Sequence, residues 1–232
     1  MQSASSTIDH STAPDAARAS STGAATVALP LSPEDQARSD LYALAAHLLL
    51  APPDAALLAG LAAADPILSN GGDHMLADAW ENLVLASSVM DADAVAEEFD
   101  TLFVSSGTPA VNPYGSLYLS GFMNDTPLAE LRADLARFGI GRVRGVFESE
   151  DHLGALCETM RVLIAGGPGI RRQPLPQQKA FFEARIAPWY ARCLGDMRNA
   201  KGANFYRLIA AFVTALLAIE AEAFAVEDGF DA

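Results

Sequence analysis

From Leu31 onward the apolar residues of this chain recur three and four positions apart, with proline and glycine as punctuation. That period, sustained along the chain without strand-like alternation, restricts it to helices. In LSPEDQARSDLYALAAHLLLAPP, Ser32 is placed to cap, Pro33 suits the first helical position, and Glu34 and Asp35 complement the helix dipole. Leu41, Leu44, Ala45, Leu48 and Leu49 form one apolar face, and Pro52 and Pro53 end it. A short helix runs from Asp54 to about Ala64 and stops at Pro66. Leu76, Trp80, Leu83 and Val84 make the next face, followed by Val95, Phe99, Leu102 and Phe103. The period breaks in VSSGTPAVNPYGS, a loop at 104–116. It resumes after a Thr126 cap and Pro127 with Leu128, Leu131 and Leu135, closing at Gly139. Leu153, Leu156, Cys157, Met160, Leu163 and Ile164 form a further face ended by Gly166 and Gly167. Two long helices, from roughly Gln177 to Asn199 with a kink at Pro188 and from roughly Ala203 to Phe224, complete an all-α bundle of about nine helices.

Composition narrows the function classes. A formal net charge of −14 argues against nucleic acid and anionic membrane surfaces as partners. Cys157 and Cys193 lie far apart in sequence with no CxxC spacing, so neither a disulfide framework nor a zinc site is indicated, and a reduced, cytoplasmic setting is the simpler reading. The longest uncharged apolar run, LIAAFVTALLAI at 208–219, is short for a bilayer and suits a buried core helix. Residues 1–32 are rich in Ser, Ala and Thr and lack a basic n-region and an apolar h-region; they are expected to form a disordered tail ahead of one helical domain at 33–232.

Two stretches invite chemistry. FESEDHLGALCETM, at 147–160, sets Glu148, Glu150, Asp151 and His152 immediately before a helical face. Acids in a first helical turn gain roughly 0.3–1 kcal/mol each from the macrodipole, so a charged helix start accounts for them without any function. The functional alternative is a site, with Glu148 and His152 as an acid–base pair, but no Ser, Cys or Lys nucleophile accompanies them. No HxxxH or ExxH spacing accompanies His152, and no metal or cofactor is expected. The loop VSSGTPAVNPYGSLY lacks the GK[ST] ending of a phosphate cradle, and its prolines remove the donors such a cradle needs. It reads either as a stiffened connection or as a rigid rim, with Tyr114 and Tyr118 presenting flat apolar surface beside Phe99, Leu102 and Phe103. Arg171 and Arg172 sit mid-chain with no following apolar run and are not an export signal.

The ordered set EEFDTLF (97–103), PYGSLYLSG (113–121), TPLAELRADLARFGI (126–140), ESEDHLGALCETM (148–160), QQKAFFEARIAPWYARCL (177–194) and NFYRLIAAFVTALLAIE (204–220) resembles the TorD/DmsD/NarJ-like chaperones of molybdoenzymes, the redox enzyme maturation proteins. Within them the chain is most similar to members associated with formate dehydrogenases. The resemblance implies an all-helical TorD-like fold, sometimes domain-swapped into homodimers, and a non-enzymatic cytoplasmic role. The implied partner is the twin-arginine leader of a molybdoenzyme in its apo form, bound before cofactor insertion and export. The family's E-P-x-D-H hinge motif carries over as Glu148, Asp151 and His152 in a hinge near 140–152, with Ser149 in place of the proline. The aromatic-x-x-Leu-Phe element carries over as Phe99, Leu102 and Phe103, and the Pro-aromatic-Gly-Ser element as Pro113, Tyr114, Gly115 and Ser116.

Such a leader offers two guanidiniums and then an apolar stretch. Burying about 400 Å² of it gives about 10 kcal/mol of gross gain. Ordering a disordered segment takes back roughly 2–5 kcal/mol. An apolar groove should therefore supply most of the affinity, the acids orientation and selectivity, and binding should be micromolar. Two other classes remain open. One is a nucleotide- or cofactor-binding protein with weak hydrolase activity centred on Glu148, Asp151 and His152. The other is an acidic adaptor whose binding follows charge alone and vanishes with salt.

Overall fold

The computed structural model describes residues 30–68, 74–104, 108–141 and 149–227. Among these residues there are ten α-helices and no strand: α1 Pro33–Leu50, α2 Ala55–Ala62, α3 Met75–Ser87, α4 Ala92–Phe99, α5 Gly115–Ser120, α6 Thr126–Arg137, α7 Leu153–Ala165, α8 Leu175–Arg185, α9 Tyr190–Asn199 and α10 Tyr206–Glu227. A five-residue π-helix, Asp100–Val104, continues α4. Most of the expected tail, and the hinge segment including Glu148, lie outside the described residues.

The helix starts follow local chemistry. Ser32 Oγ accepts the Asp35 N–H at 3.0 Å above α1, and Asp54 Oδ1 accepts the Leu57 N–H at 2.8 Å above α2. Three expectations change in detail. The cap of α6 is Asp125, whose carboxylate accepts the Thr126 N–H at 2.7 Å, and Thr126 becomes the first helical residue. The segment expected as one helix from Gln177 to Asn199 is two, α8 and α9. Pro188 cannot donate to the ladder, and the chain turns through Ile186–Trp189, fixed by the Trp189 Nε1–H bond to the Arg185 carbonyl at 2.7 Å. The acids before α7 lie outside its first turn, because the helix begins at Leu153 with His152 as its cap.

α1 buries Tyr42, Ala45, Ala46 and Leu49, α7 buries Leu153, Leu156, Cys157 and Met160, and these two helices pack closely on each other. Gly154 permits the approach: a Cβ there would stand 2.7 Å from Leu50 Cγ and 3.1 Å from Leu49 Cβ. On the other side α10 packs on α9 and α3, with the Trp80 and Phe212 rings 5.6 Å apart. The carboxylate of Glu98 starts α10 by accepting the N–H groups of Asn204, Phe205 and Tyr206 at 2.7–3.1 Å.

The helix around the apolar run is longer than that run. Tyr206–Val226 has the length and composition to cross a membrane, yet half of the qualifying window is buried inside the fold. Glu220 within it is buried and takes a fork from Arg38, Nε to Oε1 at 2.8 Å and Nη2 to Oε2 at 2.9 Å, with Tyr42 OH at 3.2 Å. A carboxylate so committed to α1 marks α10 as the core helix of this bundle.

Candidate functional site

The two motif stretches, 35 residues apart, meet at the start of α5. The Ser116 N–H donates to Asp151 Oδ2 at 2.8 Å, the Gly115 N–H to the Asp151 carbonyl at 2.9 Å, and the Leu153 N–H to the Pro113 carbonyl at 2.8 Å. Tyr114 and His152 face each other in a single antiparallel bridge, their rings edge to face at 5.2 Å. Each residue type has a reason to be there. Pro113 contributes the carbonyl and is buried. Gly115 leaves room for Trp189, whose indole would stand 3.2 Å from an added Cβ. Ser116, wholly buried, also accepts the Asn124 N–H on its Oγ at 3.2 Å and so ties together the two ends of α5. His152 Nδ1 accepts the Gly154 N–H at 3.1 Å, which requires that nitrogen to carry its lone pair.

Asp151 is 3% exposed and spends one carboxylate oxygen on Ser116; the other, Oδ1, is buried without a hydrogen-bond partner. Ser149 Oγ is in the same condition. Unsatisfied buried acceptors are uncommon in folded proteins and costly, so two within three residues mark this spot. Glu150, between them, accepts Arg132 of α6 on Oε2 from Nη2 at 2.8 Å and from Nε at 3.2 Å. That carboxylate raises the guanidinium pKa above its ordinary value, and Asp151 adds to the rise from farther away.

The aromatic candidates divide between separate packing partners. Phe99 and Phe103 lie 5.0 Å apart and pack on Tyr206 at 5.7 and 5.2 Å, while Leu102 is fully buried and its carbonyl takes the Val111 N–H. Tyr118 stacks on Trp189 at 5.5 Å, donates to Asp196 at 2.8 Å, and lies beneath the Arg192 guanidinium. Its phenol is pushed up by burial first, then by Cys193 and Asp196. Tyr114 remains half-buried against His152. The exposed apolar surface lies instead at the far end of α5. There Gly121, at φ +84°, ends the helix and leaves Leu119, Phe122 and Met123 in solvent, Phe122 at 72%. The sequence signal for them was a glycine stop followed by two large apolar residues. Arg132 had no local signal, since its partner is 18 residues away. Among the described residues no group of three His, Cys, Asp or Glu side chains is placed to hold a metal ion.

Comparison with known proteins agrees with this architecture. The chain is 31% identical over 94 residues to the chaperone protein TorD of Vibrio parahaemolyticus, a match covering 40% of this chain and 41% of that protein. The matched stretch is thus well under two thirds of the relative's length. The fold is similar to the crystal structure of a protein from Archaeoglobus fulgidus described as a redox enzyme maturation protein, with a TM-score of 0.50 at 18% identity, covering 76% of this chain and 93% of that one. The nitrate reductase delta subunit family matches residues 70–194, a span that holds α3 to α8, the first half of α9 and the whole of the α5–α7 junction. The chain belongs to the nitrate reductase delta subunit family.

Proposed function

We propose that this chain is a cytoplasmic maturation chaperone that captures the twin-arginine leader of an immature molybdoenzyme. The observation that carries the reading is the buried, unpartnered Asp151 Oδ1 at one end of α5, with exposed apolar side chains at its other end. A six-residue helix spans about 9 Å at 1.5 Å per residue. An extended peptide covers that distance in about three residues. A leader running along α5 would thus place its guanidiniums at Asp151 and Glu150 and, within about three residues, its apolar stretch on Leu119, Phe122 and Met123. In this reading Pro113, Tyr114, Gly115, Ser116 and His152 shape the receiving end, and Glu148, outside the described residues, is a further acid of the motif. Tyr118, Phe99, Leu102 and Phe103 hold the surrounding helices in place.

A hydrolytic role gains no support from the geometry. His152 spends Nδ1 on the Gly154 N–H and so cannot act as a base through that nitrogen, and Asp151 spends Oδ2 on Ser116. The test is calorimetric titration with a twin-arginine leader of a molybdoenzyme, a formate dehydrogenase leader first, alongside a twin-lysine version and one with its apolar residues changed to serine. Micromolar binding is expected, weakened most by the serine peptide and measurably by twin-lysine. Absence of binding to every leader overturns the reading.

A further inference from the structure

We propose that Arg132 is a resident stand-in for the leader's arginine: it holds Glu150 in the free protein and must release it when a leader guanidinium arrives. The inference rests on the leader-binding reading above. Three observations carry it. First, the geometry is that of a loose partner. Both donors of Arg132 fall on the same oxygen, Oε2, whereas the Arg38–Glu220 fork uses both carboxylate oxygens. A fork with two parallel bonds is the stronger and more specific arrangement. Second, the burial is lopsided. The Arg132 side chain is 49% exposed and Glu150 16%, while Arg38 and Arg185, which bind the helices together, are 17% and 15% exposed. The carboxylate belongs to the site, and the cation reaches it from outside. Third, Arg132 leaves the site unfinished, because Asp151 Oδ1 and Ser149 Oγ stay buried and unpartnered beside it. A ligand carrying two adjacent guanidiniums can take Glu150 and reach Asp151 together, which one arginine fixed on α6 does not.

The helix that carries Arg132 does not depend on this contact. Leu128, Leu131 and Leu135 anchor α6 in the core, and Asp134 ties it to Arg185 at 2.6 Å. Arg132 can therefore let go of Glu150 without unfolding its surroundings. The resident arginine also raises the threshold for cations in general. A single lysine offers a point charge without a fork and gains little by exchange, so Arg132 sharpens selection for paired arginines.

The experiment titrates the full chain and its Arg132→Ala variant with the twin-arginine leader and with the twin-lysine leader. With competition removed, Arg132→Ala should bind the twin-arginine leader about two- to five-fold tighter, as expected for loss of an exposed ion pair. The preference for arginine over lysine should narrow. The gain should disappear in a Glu150→Gln background, where there is no carboxylate to contest. Circular dichroism and denaturant midpoints establish that each variant is folded, with Arg132→Gln as a second neutral replacement. Unchanged or weaker binding by both folded variants overturns the inference and leaves leader binding standing. Absence of leader binding by the parent chain overturns both.

Discussion

Asp151 separates structural from binding roles, because its two oxygens have different work. Asp151→Ala removes the acceptor of the buried Ser116 N–H and leaves that donor without a partner. Losing a buried hydrogen bond to a charged group costs about 1.5–3 kcal/mol. Asp151→Asn behaves otherwise. Its amide oxygen can keep the Ser116 bond, its NH2 replaces the unpartnered Oδ1, and a buried charge disappears. Its stability should stay within about 1 kcal/mol of the parent, on either side. Leader affinity should follow the opposite pattern, since the amide turns a donor toward an incoming guanidinium. Replacing a charge-assisted bond in this way should cost about ten-fold or more in Kd, the equivalent of about 1.4 kcal/mol or more. Urea denaturation at constant m-value gives the first quantity and calorimetry the second. If Asp151→Asn loses as much stability as Asp151→Ala, or binds leader as the parent does, the division of labour between the two oxygens is wrong.

Other consequences follow from the packing. Gly154→Ala sets a methyl 2.7 Å from Leu50 Cγ and against the α1 backbone, and should lower the denaturation midpoint by the equivalent of about 1–3 kcal/mol; a neutral effect would mean that α7 does not seat on α1 as closely as described. Glu220→Ala removes the fork on Arg38 and leaves it Asp35 and Gln178, and should cost about 1.5–3 kcal/mol, whereas joint replacement of Arg38 and Glu220 by apolar residues of similar volume should recover most of that loss. Burial pushes both Cys157 and Cys193 up to about 12. The neutral thiols therefore favour the fold fully below the ordinary thiol value of about 8.5, and that contribution is lost as pH rises from there toward about 12. A thiol reagent at pH 8 should react at the rate of unfolding, and rapid modification of the folded chain would contradict the burial.

The helices and most of their buried faces were legible because a 3.6-residue period is local information. Leu48, Leu83, Leu131 and Leu163 are buried where the spacing placed them. What escaped the sequence depended on contacts made at a distance. Thr126 and Asp125 are both competent caps, and only the geometry of the preceding turn selects Asp125. The acids before α7 suit a first helical turn by type. The chain keeps them outside it because Asp151 is drawn to an amide 35 residues earlier, a pairing no local pattern reveals. The faces of Tyr118 and Phe122 are hidden from the sequence for a related reason. An aromatic on a six-residue helix has no period long enough to assign its face, and α9 covers Tyr118 while the turn at Gly121 uncovers Phe122.

That arrangement sets how binding should respond to salt, and the response separates the chaperone from an acidic adaptor. An adaptor attracts cations through its net charge of −14, a field screened within about 8 Å at physiological ionic strength and about 3 Å at 1 M. Its affinity would collapse across that range. At the α5–α7 junction the attraction has parts of unequal sensitivity. The half-exposed Arg132–Glu150 pair is screened, so added salt weakens the leader's contact with Glu150 and the resident contact it must displace, and the two effects largely cancel. Asp151 is buried and far less screened, and contact with Leu119, Phe122 and Met123 is apolar, which salt does not weaken. Twin-arginine leader binding should therefore lose less than about ten-fold between 0.1 and 1 M salt, with its loss concentrated in the association rate. A loss of several orders of magnitude would show that the acids act as a diffuse field, and Asp151 and the exposed end of α5 would then have no part in recognition.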